Sequence, residues 1–207
     1  MKSAQFRRMS YSQSAVGNMK KIGILSYQGT VAEHKKALSR LDNVEPVEVK
    51  TIDALNSVDA LIIPGGESTT ISKLLNIFGL MEPLRKRIED GMPVWGTCAG
   101  LILLAKEIEG EDAHLKVMDI CVERNAFGRQ LDSFSTEAVV SQVDDAPIPL
   151  VFIRAPLIKS VGKDVSVLCE INGNIVAAKQ NNMLATSFHP EFTDDLRVHK
   201  YFADMIK

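Results

Sequence analysis

Long apolar runs, basic stripes and clustered cysteines are all missing from this sequence, and each absence removes a class of function. The most apolar stretch, Cys98 to Ala105, falls well short of the roughly 18 to 20 residues that a bilayer-crossing helix needs, so no membrane association is expected. Lys and Arg together number 24 against 26 Asp and Glu, for a net charge of −2. With no basic stripe there is little to attract a phosphate backbone, and no nucleic-acid partner is expected. Cysteine is scarce: Cys98, Cys121 and Cys169 are too few for a disulfide framework, and none sits in a CxxC pair of the kind that holds a metal. That usage suits a reducing compartment, the cytoplasm, and leaves each thiol as a packing residue or a nucleophile. Cys121 and Cys169 lie in strand-like apolar runs and read as core. His34, His114 and His199 lack metal-ligand spacing from a second histidine or cysteine, so they read as surface or helix-packing residues and no metal is called for.

What is present is core material: 45% of the 207 residues are hydrophobic and 24% charged, ample for one well-packed domain. Residues 1–18 stand apart. They carry Lys2, Arg7 and Arg8 among serines, with no acid and no apolar period, and read as a disordered leader or tag, or as sequence before a true start at Met19. A single domain is expected over residues 19–207.

The hydrophobic pattern then alternates between strand and helix. Ile22 to Leu25, Val47 to Val49, Ala60 to Ile63 and Pro93 to Trp95 are short apolar runs of strand type. Val31, His34, Lys35, Leu38 and Leu41 follow helical spacing, as do Ile71, Leu74, Leu75 and Phe78, with Ser68 or Thr69 as the expected cap of the second helix. Further helices are expected from Pro83 to Gly91 and from Leu101 to Ile108. Strands apolar on both faces and separated by helices imply an α/β fold of three layers, a mostly parallel sheet with helices on both faces. After Gly110 strand-like segments follow at Ile120 to Glu123, Glu137 to Val140, Val151 to Ile153, Val165 to Leu168, Ile175 to Ala178 and Leu184 to Ser187. A hairpin turn at Asn172-Gly173-Asn174 falls among them, and these segments extend or flank the same sheet. Val198, Tyr201, Phe202 and Met205 give the closing helix an apolar face.

Three short strings carry chemistry. Gly96-Thr97-Cys98-Ala99-Gly100 lies between an apolar strand and an apolar helix, and its small residues allow the sharp turn that exposes a nucleophile at the end of a sheet. The helix start just beyond Cys98 lends positive potential, which favours a thiolate. The same residues also suit a plain tight turn with a buried thiol. In Ser187-Phe188-His189-Pro190-Glu191, His189 can take the Cys98 proton while Glu191 fixes the imidazole, because residues i and i+2 of an extended segment face one way. A surface histidine beside a solvated glutamate is the plainer reading of that string alone. Pro64-Gly65-Gly66-Glu67-Ser68 ends a strand with glycines whose N–H groups can approach developing negative charge. It lacks the GxxxxGK[ST] form of a nucleotide phosphate loop.

In this order along the chain the strings closely resemble the class I glutamine amidotransferase family, with its flavodoxin-like sheet. The matching pieces are Gln28-Gly29, Pro64 to Thr70, Gly96 to Leu101, Val122 to Gln130, Val151 to Pro156 and Ser187 to Glu191. The segments Glu123-Arg124-Asn125-Ala126-Phe127-Gly128-Arg129-Gln130 and Phe152-Ile153-Arg154-Ala155-Pro156 narrow the likeness to the glutaminase subunits of pyridoxal 5′-phosphate synthase. Leu25-Ser26-Tyr27 departs from the family's usual apolar wording.

The resemblance implies a glutaminase that hydrolyses L-glutamine to L-glutamate and ammonia and passes the ammonia to a synthase subunit in a hetero-oligomeric complex. It implies Cys98 as nucleophile, His189 as general base and acid, Glu191 as orienter, and the N–H groups of Gly66 and Ala99 as oxyanion donors. Gly66, Glu67, Ser68, Arg124, Ile153 and Arg154 are then expected around the glutamine, with Arg124 and Arg154 either gripping its carboxylate or serving as structural ion pairs. Arg129 is read as structural. No cofactor is expected on this chain. Two other readings remain open at this point: an amidotransferase subunit of another pathway, and a non-catalytic α/β interaction module.

Overall fold

The computed structural model describes residues 19–124 and 133–207. From its start the chain alternates strand and helix: β1 (Lys20–Leu25), α1 (Val31–Leu38), β2 (Val44–Val49), α2 (Ile52–Asn56), β3 (Ala60–Ile63), α3 (Ser68–Ile77), α4 (Met81–Glu89), β4 (Val94–Thr97) and α5 (Ala99–Leu104). Strands then dominate: β5 (Ala105–Ile108), β6 (Met118–Glu123), β7 (Ser133–Ala138), β8 (Ile148–Ile153), β9 (Leu157–Val161), β10 (Ser166–Ile171), β11 (Asn174–Gln180) and β12 (Met183–Thr186). A 3-10 turn at Pro190–Phe192 and α6 (Arg197–Asp204) close the chain.

Ten of these strands form one sheet in the order β2-β1-β3-β4-β12-β11-β9-β6-β5, with β10 paired to β11. From β2 to β12 every pairing is parallel. Beyond β12 the pairing becomes antiparallel, except where β5 runs parallel to β6. β7 and β8 form a separate antiparallel pair.

Period-two alternation explains why the parallel half is apolar throughout. Leu61 and Ile63 of β3 pack into one core with Leu75, Leu84 and Leu101 from α3, α4 and α5, whereas Ala60 and Ile62 face a second core with Leu38 of α1 and Phe202 of α6. Helices therefore cover both faces, as the sequence predicts, and Leu150 and Phe152 of β8 join the second core. Among the described residues, no helix is long and apolar enough to cross a membrane.

Several local expectations are corrected. The helix expected from Leu101 to Ile108 ends at Leu104. Ala105 turns to φ −58°, ψ 141°, and Ala105–Ile108 forms β5, because the ladder offered by β6 outweighs helical propensity in so short a stretch. The helix around Pro83 starts earlier, at Met81, and Pro83 sits in its first turn, where no N–H is needed. Helix α2 and strand β9 were not foreseen; Thr51 caps α2 by accepting the Ala54 N–H. The strand sought at Glu137 to Val140 lies at Ser133–Ala138 and flanks rather than extends the main sheet. Cys169 is buried as expected, but Cys121 is only partly so.

Candidate active site

The three strings that carry chemistry lie at or just beyond the carboxyl ends of β3, β4 and β12 in the parallel half, where open α/β sheets bind ligands. The register places Thr97 of β4 beside Thr186 of β12, so the residues that follow each strand, Cys98 and Ser187 to His189, emerge side by side. Cys98 N–H donates to the Thr186 carbonyl at 2.8 Å, which ties the elbow to the neighbouring strand.

The elbow is strained. Cys98 holds φ 50°, ψ −102°, a conformation that a side chain rarely adopts. Its flanking glycines have no alternative. A Cβ at Gly100 would lie 2.0 Å from the Ile63 carbonyl oxygen, and one at Gly96 would lie 2.4 Å from the Gly100 backbone.

Cys98 and His189 share the wall of one pocket, and His189 Nδ1 lies 2.7 Å from Oε1 of Glu191. The expected i, i+2 alternation is not how this is achieved: Pro190–Phe192 is a 3-10 turn, which folds the Glu191 carboxylate back under the ring. Both side chains are buried. Burial disfavours charge on His189, but the neighbouring Cys98 and Glu191 side chains outweigh that effect and push its pKa up to about 10. Burial likewise works to raise the Glu191 pKa, yet His34, His189 and the Thr30 hydroxyl hold it well below the usual carboxylate range. The result is a charged imidazole between a sulfur and an anion.

A pocket of about 430 Å³ opens over this line. Cys98, Ala99 and His189 form part of its wall, as do Gly66, Glu67, Ser68, Arg124, Ile153 and Arg154, so the structure gathers the expected substrate residues around one space. Glu191 sits behind His189 and does not line it. Ile153 contributes its carbonyl, 3.9 Å from Cys98 Sγ, and Arg154 follows with a left-handed φ of 43°. The Ser68 Oγ is buried without a hydrogen-bond partner among the described residues. A larger hollow of about 1150 Å³ lies at the opposite strand ends, beside Asp59, Arg87 and Asn182, remote from the elbow.

Two local roles differ from the sequence reading. The cap of α3 is Glu67 rather than Ser68 or Thr69: its carboxylate accepts the Thr69 and Thr70 N–H groups. The Thr69 hydroxyl, countered by partial burial and aided by Thr70 and Arg124, lowers its pKa to about 2. Arg124 is engaged by two carboxylates, with Nη2 2.9 Å from Glu67 and Nη1 2.9 Å from Glu111. Asn125 to Gln130 of the same string lie outside the described residues.

The sequence missed the layer beneath the site. His34 and His199 are fully buried, as the helix-packing alternative and not the surface one expects, and His34 Nε2 lies 3.5 Å from Glu191 Oε1. Thr30 donates its hydroxyl to the same oxygen at 2.7 Å. Gly29, at φ 101°, allows that approach, since a Cβ there would collide with the Gly65 carbonyl.

A partly parallel sheet with an elbow cysteine and a His–Glu pair beside one pocket is the arrangement expected of a glutamine amidotransferase. A family model described as the SNO glutamine amidotransferase family matches residues 24–207. The chain belongs to that family. It is 56% identical to the pyridoxal 5′-phosphate synthase subunit PdxT of Ruminiclostridium cellulolyticum, over 91% of this chain and 100% of the relative. It is 54% identical to the protein of that name from Clostridium botulinum, over 90% and 97%. Among solved structures, a glutamine amidotransferase superposes with a TM-score of 0.84 at 46% identity, covering 89% of this chain and 98% of that one. The structure of PurLQS from Thermotoga maritima shares the fold, with a TM-score of 0.66 at 16% identity over 91% of this chain and 100% of that one.

Proposed function

We propose that this chain is the glutaminase subunit of a pyridoxal 5′-phosphate synthase, hydrolysing L-glutamine and supplying ammonia to a synthase subunit. The observation that carries the reading is Cys98 and His189 on the wall of one pocket of about 430 Å³, with Glu191 held 2.7 Å from His189 Nδ1 behind it. The names of the relatives at 56% and 54% identity support the pathway. We assign the catalytic unit to residues 19–207 and leave residues 1–18 as a leader outside it; the family match beginning at residue 24 supports this division. The chemistry suits the cytoplasm, where the thiol stays reduced.

In the proposed mechanism the Cys98 thiolate attacks the side-chain carbonyl carbon of glutamine. The carbonyl oxygen becomes an oxyanion and takes hydrogen bonds from the N–H groups of Gly66 and Ala99. His189 then gives its proton to the amide nitrogen, the C–N bond breaks, and ammonia leaves a γ-glutamyl thioester on Cys98. Neutral His189 next takes a proton from water as the water attacks the thioester. Glutamate departs and the thiolate returns beside an imidazolium. Glu191 touches no reacting atom; it holds the ring and balances its charge.

Arg124 and Arg154 sit where a guanidinium can meet the glutamine α-carboxylate, and Ser68 offers an unsatisfied hydroxyl to a polar substrate. Arg124 reaches that role already oriented by Glu67 and Glu111. Ammonia released into water would be protonated and lost, so a partner seated over the pocket mouth makes chemical sense. The decisive experiment measures glutamate formation with and without the synthase subunit. Turnover should rise on addition of the partner and vanish in Cys98→Ala; equal ammonia release from parent and variant would overturn the assignment.

A further inference from the structure

Three side chains converge on one oxygen of Glu191. His189 Nδ1 and Thr30 Oγ1 each lie 2.7 Å from Oε1, and His34 Nε2 lies 3.5 Å away. The other nitrogen of His34, Nδ1, is 3.1 Å from Nε2 of His199. His199 packs edge-on to Trp95, with ring centroids 5.0 Å apart, and its Nδ1 has no hydrogen-bond partner among the described residues. A row of side chains thus runs from α6 through α1 to the carboxylate behind His189.

Two uncharged rings in this geometry allow two proton arrangements. In one, His199 Nε2–H donates to His34 Nδ1, and His34 Nε2–H points towards Glu191 Oε1 and Thr97 Oγ1, which is 3.3 Å away. His199 Nδ1 is then a bare lone pair in an apolar wall. In the other, His34 donates to His199, leaving His199 Nδ1–H as a buried donor without an acceptor and turning a lone pair of His34 towards an anion. An orphaned buried N–H is the rarer and costlier defect, and a lone pair facing a carboxylate is repulsive. The first arrangement avoids both.

We propose that His34 and His199 form a directional hydrogen-bond relay that positions Glu191, and through it the His189 imidazole, for chemistry at Cys98. The inference rests on the reading of Cys98, His189 and Glu191 given above. Burial, countered for each ring by Glu191, lowers the pKa of both histidines, to about 3 for His199, so the pair stays uncharged at neutral pH. An uncharged donor fixes a carboxylate without cancelling its charge, leaving Glu191 free to balance the His189 imidazolium. His34 and His199 are positioning residues; neither lines the pocket.

The test compares His199→Gln with His199→Leu in the complex with the synthase subunit. Glutamine keeps a side-chain N–H for His34 Nδ1. Leucine has none, but suits the apolar surroundings of Trp95 and Phe202 better. His199→Leu should lose ~10-fold in kcat with KM changed less than about twofold, as expected for a small misplacement of a reacting group. His199→Gln should recover most of that loss, although the leucine variant should melt at the same temperature or higher. Long-range proton–nitrogen spectra of histidine-labelled protein should show His34 protonated on Nε2 in the parent and in His199→Gln, and a changed tautomer in His199→Leu. Equal losses in both variants, or a parent His34 protonated on Nδ1, would overturn the relay. Cys98→Ala, assayed alongside, separates the two readings. If that variant stays active the triad fails; if it is dead while His199→Leu is unimpaired, the relay alone fails.

Discussion

The imidazole of His189 occupies the space where Gly65 would carry a side chain: a Cβ on Gly65 would lie 2.3 Å from Cε1 of His189. The glycine turn after β3 therefore does more than offer backbone donors. It sets how close the ring comes to the elbow, and Gly65→Ala must push the ring out of line with Cys98. Glutaminase turnover in that variant should fall by at least ~10-fold while the melting temperature changes little, because one side chain can move without disturbing the sheet.

Gly100→Ala should behave in the opposite way. Its Cβ would meet the Ile63 backbone carbonyl at 2.0 Å, and backbone in the centre of a parallel sheet cannot yield as a side chain can. A loss of about 3 kcal/mol or more in denaturant unfolding is expected, at the upper end of overpacking costs. An unchanged unfolding midpoint would mean that the elbow is looser than described.

The alkaline side of the pH profile should report His189. With a folded pKa of about 10, above the ordinary histidine value near 6.5, its favourable interactions are fully present below the unfolded value and are lost as pH rises through about 10. The kcat/KM of the free enzyme should accordingly decline near that pH. Glu191→Gln removes one of the interactions that hold the proton, so the decline should move towards neutrality by about one unit or more. No movement would show that Glu191 does not govern the ring.

Glu67 joins stability to substrate binding. Glu67→Ala removes the carboxylate cap of α3, for a loss of about 1 kcal/mol, and also frees Arg124 from one of its anchors. The variant should melt lower and show a raised KM for glutamine. Glu67→Gln, which keeps an oxygen for the Thr69 and Thr70 N–H groups, should restore more of the melting temperature than of the KM.

The elbow was legible because an apolar strand, five small residues and an apolar helix follow one another directly, so local pattern and local structure coincide. Ala105–Ile108 was not, since nothing within that stretch tells the end of a helix from a strand and the deciding partner, β6, comes later in the chain. The 3-10 turn at Pro190–Phe192 also escaped, because Pro190 between two functional residues suits an extended link equally well. The meeting of His34 and His199 with Glu191 was not legible for a different reason: it is created by the packing of α1, α6 and the sheet. A signal was present. His34 shares i, i+3, i+4 spacing with Ala37 and Leu38, as His199 does with Phe202 and Ala203, which marks both rings as inward-facing.

The parallel pairing of β4 with β12 has a consequence for how the molecule comes into being. In the proposed mechanism the nucleophile Cys98 is synthesised midway along the polypeptide and its proton carrier His189 only near the end, so the two meet only once β12 has been made. A chain cut short before β12 would carry Cys98 without His189, so on that mechanism glutamine is spared until the sheet is complete.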